Sequence, residues 1–237
     1  MPPAPASPFD AARDLADAPR VGGRMRPRDA ATLILTRGHG AETEVLMGRR
    51  AAGHVFMAGK WVFPGGRVDR SDYRAAAATE PAGETRGRLE AEVGPRRARA
   101  LTLAAVRETF EETGLRLARP APVAKVAGPW RAFRDSGALP DLAALTYVAR
   151  AITPPGRSRR FDARFFRADA ASLIDDDPRP VADELEEVAW LKADAALSRD
   201  LAAITRYVLS AALAADDGAP GLPFIRQVNG RHRIDRL

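Results

Sequence analysis

From Leu101 to Thr113 apolar residues return at helical spacing. Leu103, Val106 and Phe110 form one stripe, and the run closes at Gly114, a residue suited to the left-handed position that ends helices. Glu108, Glu111 and Glu112 are spaced i, i+3, i+4, which at about 100° per residue gathers three carboxylates on one face, opposite that stripe. A chain with such a segment must bury the stripe against another layer while holding three like charges at the helix C-terminal turn. There the helix dipole favours cations, and each like-charge i,i+4 pair costs about 0.2–0.5 kcal/mol. A divalent cation with oxygen ligands would reverse that cost; a solvated acidic face is the plain alternative.

The composition leaves room for the second layer. With 46% hydrophobic residues, 237 residues suffice for one large domain or two small ones, and collagen-like, coiled-coil and wholly disordered classes are excluded. There is no cysteine, which rules out disulfides, zinc ribbons, iron–sulfur clusters and thiol catalysis and makes a cytoplasmic setting the expectation. No charge-free stretch exceeds nine residues, so no membrane span is expected and the protein is read as soluble. Of 37 basic residues only Lys60, Lys125 and Lys192 are lysine. The arginines are scattered among acids rather than set in one stripe with aromatics, so nucleic acid is not an expected partner.

Residues 1–28 hold six prolines and little apolar periodicity, and read as a flexible leader that stays attached. Ala30–Thr36, Glu44–Arg49, Trp61–Phe63, Val123–Val126, Leu142–Ile152, Ala163–Arg167 and Glu187–Leu191 read as strands, and Asp194–Ala215 as a long amphipathic helix. Asn229-Gly230 marks a hairpin turn in a C-terminal tail, residues 216–237. Residues 73–100, rich in Ala, Arg and Glu, read as an insertion of short surface helices.

Arg107-Glu108-Thr109-Phe110-Glu111-Glu112-Thr113-Gly114-Leu115 resembles the second half of the signature of the Nudix hydrolase family, with Thr109 at an apolar position as the one soft departure. Phe63-Pro64-Gly65-Gly66-Arg67-Val68-Asp69 resembles the Gly-Gly loop that opens the signature. Six residues after Gly66, where the family has Glu, stands Asp72, shorter by one methylene. Between that acid and the Arg the family has seven residues and this chain 34, so the signature is split. One branch, similar to the peroxisomal coenzyme A diphosphatases, carries an insertion at this place, and segments 151–155 and 160–166 also resemble it.

The resemblance implies an α/β/α sandwich over residues 29–215, its mixed sheet running from residue 30 to 191 between the Leu101–Thr113 and Asp194–Ala215 helices. It implies hydrolysis of the diphosphate bond of a nucleoside diphosphate derivative with Mg²⁺ or Mn²⁺. Coenzyme A or an acyl-coenzyme A is the expected substrate. The alternatives are an NADH or ADP-ribose pyrophosphatase and a non-catalytic, nucleotide-sensing domain.

By the same resemblance Glu111 and Glu112 are metal ligands, Glu108 is a ligand or the general base, Arg107 holds the carboxylates, and the Gly66 carbonyl is a further ligand. A downstream acid is expected to join them, Glu184 first and Glu187 second. Gly65 and Asp72 are expected substrate contacts, Arg49 and Arg50 are either pyrophosphate contacts or surface charge, and the arginines of the insertion are expected either to bind outlying phosphates or simply to coat a spacer. The Asp175-Asp176-Asp177 turn, His39, His54 and His232 read as surface features, and Trp61 and Trp130 as core.

Overall fold

Strand β1, Arg28–Arg37, sets the layers. Its residues alternate between two faces: Ala31, Leu33 and Leu35 enter one apolar cluster and Ile34 enters another, and all four have no exposed surface. The strand is therefore central, with a covering layer on each side. The computed structural model describes residues 25–51, 53, 57–181, 184–214 and 221–237.

Along the chain follow β2 (Glu44–Arg50), β3 (Trp61–Val62), β4 (Gly65–Arg67), a 3-10 turn (Arg70–Tyr73), α1 (Gly83–Val93) and α2 (Pro95–Thr113). After these come β5 (Ala118–Pro120), α3 (Arg131–Asp135), β6 (Ala138–Pro140), β7 (Thr146–Ile152), β8 (Phe161–Asp169) and β9 (Leu185–Lys192). The chain closes with α4 (Ala193–Ser198), α5 (Ala203–Leu213), β10 (Pro223–Val228) and β11 (Arg231–Arg236). Nine strands make one mixed sheet in the order β11-β10-β7-β8-β1-β2-β3, with β4 also on β1 and β9 on β2. β1 runs parallel to β8 and antiparallel to β2 and β4.

On one face Leu101, Leu103 and Val106 of α2 pack with Leu89 of α1, Trp130, Phe133 and Phe166. On the other, Val208, Leu209 and Ala212 of α5 pack with Val45, Met47 and Phe165. This is the expected α/β/α sandwich. Among the described residues no helix is long and apolar enough to cross a membrane.

Several boundaries differ from expectation. α2 begins at Pro95 rather than Leu101, because proline fits the first helical position and Gly94, at φ 77°, turns the chain into it. Val123–Val126 is not a strand; Val123 is exposed, and the pairing segment lies just before it, in β5. Residues Leu142–Ala144 form a 3-10 turn, so β7 starts only at Thr146. The expected helix Asp194–Ala215 is broken into α4 and α5. There Asp200 gives its carbonyl to the Trp61 N–H (3.1 Å) and its carboxylate to Lys60, drawing the chain back to β3. The tail carries a hairpin whose first strand extends the sheet beside β7, turning at Asn229 (φ 49°) and Gly230 (φ 79°). The leader's first 24 residues and His54 lie outside the described residues.

Residues 73–100 lie on the surface and reach the core through Leu89, Ala98 and Ala100. Leu89 is fully buried, and the Thr85 hydroxyl accepts the Tyr147 N–H at 3.0 Å. Five of their six arginines meet partners within the chain: Arg86 pairs with Glu90, Arg88 with Glu84, Arg97 with Asp29 and Arg99 with Glu80, and Arg96 lies over the Tyr73 ring. Leu89→Ala is expected to cost about 3 kcal/mol in urea unfolding, as for other buried leucines; a loss under about 0.5 kcal/mol would show that α1 is peripheral.

Candidate functional site

Because Leu103 and Val106 of α2 face the sheet, the neighbouring Arg107, Glu108, Glu111 and Glu112 come to lie along β4 and the turn that follows it. Arg107, 3% exposed, is the hub. Its Nε donates to Asp72 Oδ1 (2.9 Å), its Nη2 to Asp72 Oδ2 (2.9 Å) and the Arg67 carbonyl (2.9 Å), and its Nη1 to Glu108 Oε1 and Glu111 Oε2 (2.8 Å each). All five guanidinium N–H groups are used. Burial alone would favour the neutral form, but these hydrogen bonds and charges hold its pKa above the ordinary value.

Asp72 has no exposed surface and accepts two further donors, the Trp130 indole N–H (2.9 Å) and the Asp69 N–H (2.8 Å). It cannot touch a substrate, and the expectation that it does is corrected: it anchors Arg107. The local sequence explains the pose. Asp69 caps the 3-10 turn by accepting from the Ser71 hydroxyl (2.6 Å) and the Ser71 N–H (2.7 Å), hydrogen bonds that hold its own carboxyl below the usual range. Asp72 answers by accepting the Asp69 N–H, which closes a capping box at the start of the turn.

The Gly-Gly pair is read in the same terms. A Cβ on Gly65 would stand 2.6 Å from the Ala31 carbonyl oxygen, and one on Gly66 would stand 2.3 Å from the Glu108 carboxylate. Only glycine lets β4 lie flush on β1 and the carboxylate lie flush on β4. The Gly65 N–H donates to Glu112 Oε2 (2.9 Å) and so positions that carboxylate. Thr109, the departure from the apolar pattern, is buried but spends its hydroxyl on the Ala105 carbonyl (2.8 Å), which makes threonine tolerable there. Gly114 ends the helix at φ 75°, and the Arg179 and Val181 N–H groups satisfy the last carbonyls of Thr113 and Glu112.

The three glutamates are poorly solvated. Burial pushes the Glu108 carboxyl up to about 7 against the pull of Arg107, and the Glu112 carboxyl up to about 8 against the Gly65 N–H and the Arg50 charge. Glu111, less buried, is also raised by desolvation. Glu184 adds its negative charge at Glu112 and pairs with Arg50 at 3.4 Å. Glu187 pairs with Arg49 instead (3.3 Å), beside Glu186 (3.5 Å). Arg49 and Arg50 thus bind the acids of β9 and the turn before it.

Among the described residues no three acidic or histidine side chains converge on one point as a preassembled metal site. The donor set nevertheless suits a hard cation: desolvated carboxylates only, with the Gly66 backbone left open for lack of a side chain. Elsewhere Asp175 and Asp176 pair with Arg116 and Arg37 as a surface turn, and Trp61 and Trp130 are buried. Trp130 was legible as core, but nothing in the sequence marks its bond to Asp72.

A model of the NUDIX domain family matches residues 26–212. Among solved structures, a NUDIX hydrolase from Alicyclobacillus acidocaldarius is 27% identical, with a TM-score of 0.60 over 81% of this chain and 93% of that one. A MutT NUDIX hydrolase from Burkholderia pseudomallei is 21% identical (TM-score 0.46; 79% and 98% covered). The NUDIX domain of Shewanella oneidensis NrtR, solved with ADP ribose, is 14% identical (TM-score 0.48; 89% and 100% covered). None of the curated proteins compared with the chain matches it.

Replacing Asp72 by Asn removes the charge that pairs bidentately with the Nε/Nη2 edge of a buried guanidinium. The expected cost is about 3 kcal/mol in urea unfolding, the range for breaking a buried ion pair from one side; a cost below about 1 kcal/mol would mean that Arg107 does not depend on Asp72.

Proposed function

The chain belongs to the NUDIX domain family and is a hydrolase; from that premise we propose that it cleaves the diphosphate bond of a nucleoside diphosphate derivative, with coenzyme A or an acyl-coenzyme A as substrate. The observation that carries the reaction class is the seating of Glu108 and Glu112 against the Gly65-Gly66 backbone, with Arg107 fixing Glu108 and Glu111 from behind. The coenzyme A assignment is supported by the split signature and the segments 151–155 and 160–166. In the structure those segments join β7 to β8, through Thr153 with Phe161 and Arg150 with Asp162.

Glu111, Glu112, Glu184 and the Gly66 carbonyl, with Glu108 as the alternative to its role as base, would hold Mg²⁺ or Mn²⁺, which when bound supplies charge neutralisation on phosphoryl oxygens and a more acidic water. The chain's own part is positional. Arg107 presents Glu108 and Glu111 in one orientation, and the Gly65 N–H does the same for Glu112. Glu108, the carboxylate packed on Gly66, takes the proton of the attacking water, and Arg50 stands near Glu112 at the edge of the site, where a diphosphate would lie.

Incubation with Mg²⁺ or Mn²⁺ is expected to convert coenzyme A to 4′-phosphopantetheine and adenosine 3′,5′-bisphosphate faster than it cleaves NADH or ADP-ribose, with products identified by mass. Chelation should abolish turnover. Glu112→Gln should lower it by more than about a hundredfold, since even the outer partners of metal sites cost ~10–100-fold. Faster cleavage of NADH or ADP-ribose would replace the substrate and keep the chemistry; full turnover with a chelator, or in Glu112→Gln, would overturn the chemistry.

A further inference from the structure

Trp130 stands 58 residues from Asp72 in sequence and outside the motifs that define the site, yet its indole N–H donates to Asp72 Oδ1 at 2.9 Å. The residue ends a 3-10 turn, Gly128–Trp130, that leads into α3. Its ring meets Phe133 edge-on at 5.4 Å, and Phe133 meets Phe110 edge-on at 5.1 Å. Phe110 lies on α2 between Glu108 and Glu111. The aromatic row therefore runs from Trp130 back to the helix that carries the carboxylates, and only 4% of Trp130 is exposed.

Asp72 is held from three directions. Arg107 of α2 takes both of its oxygens, the Asp69 N–H of its own turn takes Oδ2, and Trp130 takes Oδ1. Without the indole, Oδ1 keeps only the Arg107 Nε, and the carboxylate can turn with the guanidinium instead of fixing it. The guanidinium is what aligns Glu108 and Glu111, since one nitrogen, Nη1, donates to both. A small rotation of that group would lengthen one of those two bonds.

We propose that Trp130 is a positioning residue: its N–H fixes the Asp72 carboxylate, which sets the Arg107 plane and through it the placement of Glu108 and Glu111. The consequence for metal binding rests on the reaction class proposed above; the consequence for Arg107 does not. A tryptophan that only fills the core would make its contribution through ring contacts and would be indifferent to the N–H.

The decisive comparison keeps the ring and removes the donor. Benzothienylalanine at position 130, introduced by nonsense suppression, replaces the N–H by sulfur in a ring of nearly the same shape; Trp130→Phe is the second variant, and Phe133→Leu loosens the same aromatic row while leaving the indole in place. Three properties are read in the full chain: the solvent exchange of the Arg107 Nε–H by ¹⁵N NMR, the Mn²⁺ dissociation constant by calorimetry, and Tm. In the benzothienyl variant Tm is expected within about 4 °C of wild type, while Arg107 Nε–H exchanges about tenfold faster and Mn²⁺ binds about tenfold more weakly. Phe133→Leu should lower Tm and leave the Arg107 exchange unchanged. Unchanged Arg107 exchange in both Trp130 variants would overturn the proposal, as would equal acceleration in Phe133→Leu. If the wild-type protein itself binds no Mn²⁺, the metal-dependent reading fails, and the Arg107 exchange alone decides the role of Trp130.

Discussion

A guanidinium with 3% exposure is tolerable only when each of its five N–H groups has an acceptor, and Arg107 meets that condition with four separate residues. Those acceptors come from β4, from the turn that follows it and from α2 itself. One side chain therefore ties the end of a strand, a 3-10 turn and a helix into a single arrangement. Arg67 offers a main-chain carbonyl, so even the path of β4 is part of the site. Lysine has neither the planar fork nor enough donors to repeat this.

The cost of the arrangement falls on the glutamates. Three carboxylates occupy the last turns of a helix whose dipole disfavours them, in surroundings dry enough to push Glu108 to about 7 and Glu112 to about 8. Arg107 and the Gly65 N–H offset part of that cost, and Gly66 admits the Glu108 carboxylate where any other residue would exclude it. A fold that spends buried hydrogen bonds on keeping like charges adjacent is built around chemistry that needs them, which agrees with the hydrolase family to which the chain belongs.

The helix and its glycine end were legible because both signals are local: apolar spacing, three acids on one face and a C-terminal glycine at positive φ. The Asn229-Gly230 turn was legible for the same reason. β1 could be read as a strand, but not its partner, since its parallel pairing with β8 joins residues more than a hundred positions apart. The break between α4 and α5 was hidden because it is made by Lys60 and Trp61 pulling on Asp200, not by the helix's own residues. Asp72 shows the limit most plainly. Its place in a motif suggested a role toward the substrate, and only the three-dimensional contacts reveal that all of its hydrogen-bonding capacity is turned inward, to Arg107, Asp69 and Trp130. The short surface helices of residues 73–100 were legible because Ala, Arg and Glu dominate them; the one buried leucine that anchors α1 to the core is too small a signal against that background.

The central claim is that the Arg107 fork, rather than its charge, holds the carboxylates in working order. Arg107→Lys keeps the charge and removes the fork, so the direct test is kcat of that variant for metal-dependent hydrolysis of whichever of coenzyme A, NADH and ADP-ribose the wild-type protein cleaves fastest. A loss of about a hundredfold is predicted, the scale on which small misplacements of catalytic groups act. Turnover within about twofold of wild type, where a contribution is under about 0.4 kcal/mol, would contradict the account.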